Sequence, residues 1–464
     1  MRSNTFVRGL VCAAAALILA AAPAAAAPAP NKVGELEPLQ LASPSPYGKA
    51  FGADAREFVV RHPGATYIRV HFSKFDLAPG DWVTIASADG GESFTYTGRG
   101  PHSTGEFWAQ AILGDTAIVR LQATVGGEGG FEIDAFGRGI VDLVGERPSD
   151  PSPESVCGTQ DWKDAACYAS GTYTTEYEKS RAAVLALIGC CSSCTAFKVS
   201  DSGQFLTNNH CTASTSGVQS TELRFMYQTP GCATGTAGYT GSVMGSQLVR
   251  TDATLDYTLM TTTGDATSIP CLTLENRLPA VGERIYIAGH PGGGPKKLSI
   301  ESASNTGGLC RVDAAPYAGN SATSDVGYYC DTAGGSSGSP VLSGETHQVI
   351  ALHHFGGCLN SGGRSDLILG QIGSDIQTCS SGGGGENCGN GVVDAGEQCD
   401  GSDLGGETCE SRGFPGGTLS CTSSCTFNTS ACTPACAPFN APCRRGTDCC
   451  SGLCLGKGKN KACR

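Results

Sequence analysis

Between residues 45 and 145 the chain alternates apolar and polar positions in short runs. Tyr67-Ile-Arg-Val-His-Phe72, Asp81-Trp-Val-Thr-Ile-Ala86, Ser93-Phe-Thr-Tyr96, Glu106-Phe-Trp-Ala-Gln-Ala111, Thr116-Ala-Ile-Val-Arg-Leu121 and Gly130-Phe-Glu-Ile-Asp134 each place every second side chain on one face. Clusters of Gly, Pro and Asp separate them. Short strands at this spacing predict an antiparallel β-sandwich. Glu146-Arg-Pro-Ser-Asp-Pro-Ser-Pro153 then reads as a stiff linker. No catalytic constellation falls in this first unit. It is equally a pro-domain or a permanently attached accessory domain.

From Cys157 to Cys379 the pattern is again strands and turns, clearest at 184–188, 194–199, 205–207, 223–227, 256–262, 284–288, 297–301, 341–342 and 349–353. No stretch carries a sustained helical period. A mainly β unit of two packed antiparallel barrels, spanning 155–379, accounts for that pattern. Its chemistry gathers at Gly335-Ser-Ser-Gly-Ser-Pro340, a glycine-rich turn that exposes the Ser337 hydroxyl. The Gly335 and Ser337 amides there can converge on an oxyanion. A serine needs a base and a group to orient that base. Phe205-Leu-Thr-Asn-Asn-His210 ends a strand in a histidine, and Asp256-Tyr-Thr-Leu-Met260 opens one with a carboxylate. Singly, each has a plain reading: a Gly/Ser loop, a structural histidine, a turn aspartate. Together, the order His210, Asp256, Ser337 is that of chymotrypsin-like enzymes and excludes the α/β-hydrolase order.

The ends and the composition place this chemistry. Residues 1–26 carry Arg2 and Arg8, an apolar run from Leu10 to Ala22 and Ala24-Ala25-Ala26, the form of a secretory signal peptide. Of 25 cysteines only Cys12 lies inside it, and the even remainder fits disulfides in an exported, extracellular protein. No later run is long and apolar enough to span a membrane. A formal charge of −12 offers no basic patch for nucleic acid. Nothing in the sequence calls for a cofactor or a metal. Beyond the flexible linker at 380–387, residues 388–432 form a Cys-rich repeat similar to those of exported bacterial proteins. Residues 436–463 have the cysteine spacing of an inhibitor cystine knot. Such modules are too small to rely on a core. They can engage a surface or a protein partner, or only protect the tail.

The central unit resembles the bacterial lysyl endopeptidases of the trypsin superfamily. Phe205-Leu-Thr-x-x-His-Cys211, Phe225-x-Tyr-Gln-x-x-x-Cys232, Gly335-Ser-Ser-Gly-Ser-Pro340 and Arg364-Ser-Asp366 carry the resemblance, over about 225 residues. It implies cleavage of protein or peptide substrates after lysine, with Asp366 meeting the lysine. Asp331, six residues before Ser337, falls where trypsin keeps its specificity aspartate and is a second candidate that admits arginine. His353 or His354 matches a family histidine beside the cleft, without a tryptophan to stack on it. A glutamyl specificity built on a pocket histidine is disfavoured by the two acids. The resemblance also implies the bridges Cys194–Cys211, Cys157–Cys358 and Cys167–Cys232. Cys310–Cys330 fits a hairpin staple, and the partners of Cys190, Cys191, Cys271 and Cys379 stay open. Ser336 precedes the nucleophile where trypsin-like zymogens keep an aspartate for a newly cut terminus. No inserted terminus is therefore expected, and chains beginning between Pro148 and Glu154 should be equally active. The competing expectation is an extracellular binding or matrix protein whose protease unit is vestigial and whose Cys-rich tail acts.

Overall fold

The computed structural model describes residues 29–48, 56–140, 156–377, 379 and 393, with 399–412, 414, 416–421, 427–429, 431–432, 454–455 and 462–463 in the C-terminal part. The expected signal peptide, both linkers and most of 436–463 lie outside these residues.

The first unit is a β-sandwich. One sheet runs Gly34–Ala42, Gly130–Gly139, Tyr67–Asp76, Phe107–Trp108, with Ile112–Leu113 also paired to Tyr67–Asp76. The other runs Arg56–Arg61, Thr116–Gln122, Trp82–Ser87, Ser93–Thr97. The alternation does what it should: in Thr116–Gln122 the side chains of Ala117, Val119 and Leu121 turn inward and their neighbours outward. Both sheets fill one core, where Phe131 packs edge-on against Phe58 and Phe72 at 5.5 and 5.6 Å. The unit starts earlier than residue 45, because Gly34–Ala42 pairs with Gly130–Gly139. Pro38 hides this strand in the sequence. As the outer strand of its sheet, it tolerates a residue with no N–H.

The central unit is the double barrel. Ser192–Lys198, Ala183–Ile188, Thr221–Phe225, Gly241–Asp252, Tyr257–Thr263 and Gln204–Thr207 pair in that order, and the last pairs back to the first. The second sheet runs Lys163–Asp164, Lys297–Ser299, Ile285–Gly289, Pro340–Ser343, Val349–Phe355, Asn360–Arg364, Asp325–Tyr328, Val312–Tyr317. Bonds from Ile285 N to Cys310 O and from Val312 N to Glu283 O curl it round. Ala183–Ile188 is apolar without alternation because both of its faces are covered: Val184 and Ala186 fill the barrel, and Leu185 and Leu187 pack outward. A third cluster joins the barrels, with Phe197, Leu206 and Leu259 from the first and Tyr286, Leu342 and Leu352 from the second. The helix Ser365–Ile372 seals it with Ile368 and Ile372, one turn apart.

Disulfides join Cys194–Cys211, Cys157–Cys358, Cys167–Cys232 and Cys310–Cys330. The open partners resolve as Cys190–Cys191, adjacent in the chain, and Cys271–Cys379. In the tail, Cys399–Cys421 and Cys409–Cys432 surround a small cluster with Leu419. No helix among the described residues is long and apolar enough to cross a membrane.

Candidate active site

His210 follows the strand Gln204–Thr207, and the Cys194–Cys211 bridge ties it to the neighbouring strand. Asp256 stands just before Tyr257–Thr263 with φ +50°, a conformation that a non-glycine residue holds only when its surroundings impose it. They do: Asn208 Nδ2 donates to the Asp256 carbonyl at 2.8 Å, and Asp256 Oδ1 accepts the His210 amide at 2.9 Å. Asp256 Oδ2 then lies 2.7 Å from His210 Nδ1. This fixes the imidazole with Nε2 turned away from Asp256. Nε2 is buried and has no hydrogen-bond partner among the described residues.

The serine turn is tied to the first barrel. Thr195, next to Cys194, donates its amide to the Ser337 carbonyl at 2.8 Å, and Thr207 Oγ1 donates to the Thr195 carbonyl at 2.7 Å. Thr195 Oγ1 donates to the Gly335 carbonyl at 2.9 Å. The structure records no Ser337–His210 hydrogen bond; without substrate such bonds are commonly long and tighten on binding. Gly335 has φ +96°, and a Cβ there would stand 2.7 Å from the His290 carbonyl. Only glycine fits. Ser336, just before Ser337, is buried and accepts the Ala333 amide at 3.3 Å, so its hydroxyl serves the turn itself.

Sequence reasoning missed Asp325. His354 is buried between two acids, its Nδ1 3.1 Å from Asp256 Oδ2 and its Nε2 2.6 Å from Asp325 Oδ2. Burial alone would lower its pKa, but hydrogen bonds to Asp256 and Asp325 raise it to about 9. It is a cation at neutral pH. Burial likewise disfavours the Asp256 anion, yet His210 and His354 together hold its pKa at about 2. Asp325 is lowered against burial by His354, with Ser324 and Ser361 also donating to it. Nothing near Asp325 in the sequence marks it.

The four specificity candidates part company. His354 is engaged as described. His353 Nδ1 lies 2.8 Å from the Tyr328 hydroxyl, and burial with the adjacent His354 charge drives its pKa down to about 3. Asp366 faces Arg364, which donates to its two oxygens at 3.0 and 2.6 Å. That ion pair already supplies the charge an incoming lysine would bring. Asp331 is buried, and its oxygens accept the amides of Cys157 and Asp161, each at 2.8 Å. Burial pushes its pKa up against the pull of those amides, and no cation is among its partners in the described residues.

A double antiparallel barrel, a buried Asp–His pair and a glycine-rich serine turn held against the first barrel are the features of the chymotrypsin-like serine protease class. The sequence profile of the Trypsin-like peptidase domain matches residues 194–352, which hold His210, Asp256 and Ser337. Secreted RxLR effector protein 73 of Plasmopara viticola is 33% identical over 325 residues, covering 66% of this chain and 78% of that protein. Among solved structures, the serine endoprotease from Yersinia pestis is similar over 45% of this chain and 67% of its own, at 14% identity and TM-score 0.34. The HtrA-type protease AlgW with tripeptide aligns over 45% of this chain and 64% of its own, at 17% identity and TM-score 0.34. Residues 194–352 thus form a trypsin-like peptidase domain, and the chain belongs to the family of the Plasmopara protein.

Proposed function

We propose that this chain is an exported serine endopeptidase that cleaves after a basic side chain. Ser337 Oγ attacks the scissile carbonyl while His210 Nε2 takes its proton, and the amides of Gly335 and Ser337 receive the oxyanion. His210 then returns the proton to the leaving amine, and water hydrolyses the acyl-enzyme by the same route. Asp256 holds the imidazole tautomer and stabilises the imidazolium. The observation that carries this reading is the 2.7 Å Asp256–His210 contact, which leaves a buried Nε2 without a hydrogen-bond partner among the described residues.

Of the two acids, Asp331 supports basic specificity better, being buried with amides but no cation, whereas Asp366 is neutralised by Arg364. Lysine is the first substrate, with arginine admitted. An acidic substrate gains little, since His353 is held neutral and the His354 charge lies between two carboxylates. Export is supported by the signal-like segment, by the disulfides and by the name of the secreted relative. That name also favours a second reading, an extracellular effector that binds a target without turnover. Peptides with Lys, Arg or Glu before the scissile bond decide between them. Hydrolysis of the Lys and Arg peptides that is abolished in Ser337→Ala is expected; wild-type turnover in Ser337→Ala refutes the mechanism.

A further inference from the structure

The sandwich and the first barrel share one interior. Val33 is fully buried in a cluster made of Tyr67 and Ala111 from the sandwich and Leu185, Leu187, Tyr227 and Ala237 from the protease. Around it lie polar contacts shut off from water. Arg69, a sandwich residue with 0% exposure, donates to the Ala109 carbonyl in its own unit at 2.7 Å. Its other nitrogens reach the protease carbonyls of Leu187 at 3.1 Å and Ser220 at 3.0 Å. In the opposite direction, the buried Glu222–Arg224 ion pair of the protease holds the Ala111 backbone, Glu222 Oε2 accepting its amide at 2.8 Å and Arg224 donating to its carbonyl. Tyr67 Oη donates to the Cys190 carbonyl at 2.9 Å.

The segment before the sandwich goes further. Asn31 and Lys32 pair with Ser193 and Ser192 and so add a strand to the first barrel, while the amides of Val33 and Gly34 both donate to the Cys191 carbonyl. This strand reaches the nucleophile turn. Asn31 Nδ2 donates to Ser193 Oγ at 3.2 Å, and a Cβ on Gly334 would stand 3.2 Å from Asn31 Oδ1. A Cβ on Gly293 would stand 2.6 Å from both Val33 Cγ1 and Ser193 Oγ. Gly292 in turn donates its amide to the Gly334 carbonyl at 2.6 Å. The peptide that carries the Gly335 amide therefore rests on the 292–293 loop and on Asn31. The sandwich itself docks on the Cys190–Cys191 hairpin and beside the start of Thr221–Phe225.

We infer that the sandwich is a permanent working part of the protease and that Asn31, with Ser193, is a positioning residue for the oxyanion turn. The first half stands on the interface alone; the second rests on the peptidase reading above. Chains beginning between Pro148 and Glu154, which lack this strand, then lose activity, contrary to the expectation from the sequence.

Two measurements test it. In the first, a site for a sequence-specific protease is placed between residues 141 and 155 and cut in the folded full-length chain. The two pieces are expected to elute together on native gel filtration; pieces that separate overturn permanence, whether or not the chain hydrolyses peptides. In the second, Asn31→Ala and Ser193→Ala are each expected to lower kcat about tenfold with KM within about twofold, since a small misplacement of oxyanion donors acts on the transition state. A peptidyl trifluoromethyl ketone should weaken by the same factor, and the double variant should be no worse than either single one. Unchanged kcat, a loss confined to KM, or unaltered ketone affinity overturns the positioning role. A chain without any turnover sinks the peptidase reading and that role together, while the gel-filtration arm still decides permanence.

Discussion

His354→Gln removes the cation held between Asp256 and Asp325 while keeping a side chain that can still donate a hydrogen bond. The folded pKa of His354 is raised from 6.5 to about 9. A raised pKa contributes stability that is fully present below the unfolded value and is lost as the pH rises through the folded one. Integrating that shift gives about 3 kcal/mol at pH 6, roughly half of that at pH 8 and almost nothing at pH 10. The acid side behaves oppositely. Asp256, lowered from 3.8 to about 2, contributes stability above its unfolded value and loses it as the pH falls through 2. The stabilising plateau of this chain of groups thus lies between about pH 4 and 6.5, and the three groups titrate as a coupled set. Guanidinium unfolding with disulfides intact, in a Ser337→Ala background to prevent self-digestion, measures the effect. Wild type should exceed His354→Gln by about 3 kcal/mol at pH 6, and the gap should close toward pH 10. An equal gap at both pH values would refute a charged His354 and leave only a packing role.

Two further outcomes follow from the turn and from the acids. Gly335→Ala must accommodate a Cβ 2.7 Å from the His290 carbonyl and 2.8 Å from the Gly293 amide at φ +96°. Its kcat should fall about 100-fold or more as an oxyanion donor is displaced, and wild-type kcat in this variant contradicts the assignment. Asp331→Asn should lower kcat/KM for lysine peptides by an amount of order 2–5 kcal/mol, while Asp366→Asn should leave it nearly unchanged. The reverse ranking returns specificity to Asp366.

The strand content was legible because alternation is a local property, as in Thr116–Gln122, and His210 and Asp256, which the fold brings together, stood out because they sit at strand ends. What escaped depends on distant parts of the chain. The amide that Asp331 binds belongs to Cys157, 174 residues away. Asp325 matters only because the fold brings it to His354. Arg364 stands two residues from Asp366, but one ends a strand and the other opens a helix, so spacing alone does not reveal their pairing. Gly34–Ala42 was concealed by Pro38, and Asn31–Lys32 is too short to carry a period.

The most direct test of the account is covalent labelling by a fluorophosphonate, followed by peptide mapping of the folded, oxidised chain. One label per chain on Ser337 is predicted, absent in Ser337→Ala and strongly slowed in His210→Ala because the base is gone. Peptide hydrolysis that persists while Ser337 stays unlabelled, or a label that settles on another serine, would contradict it.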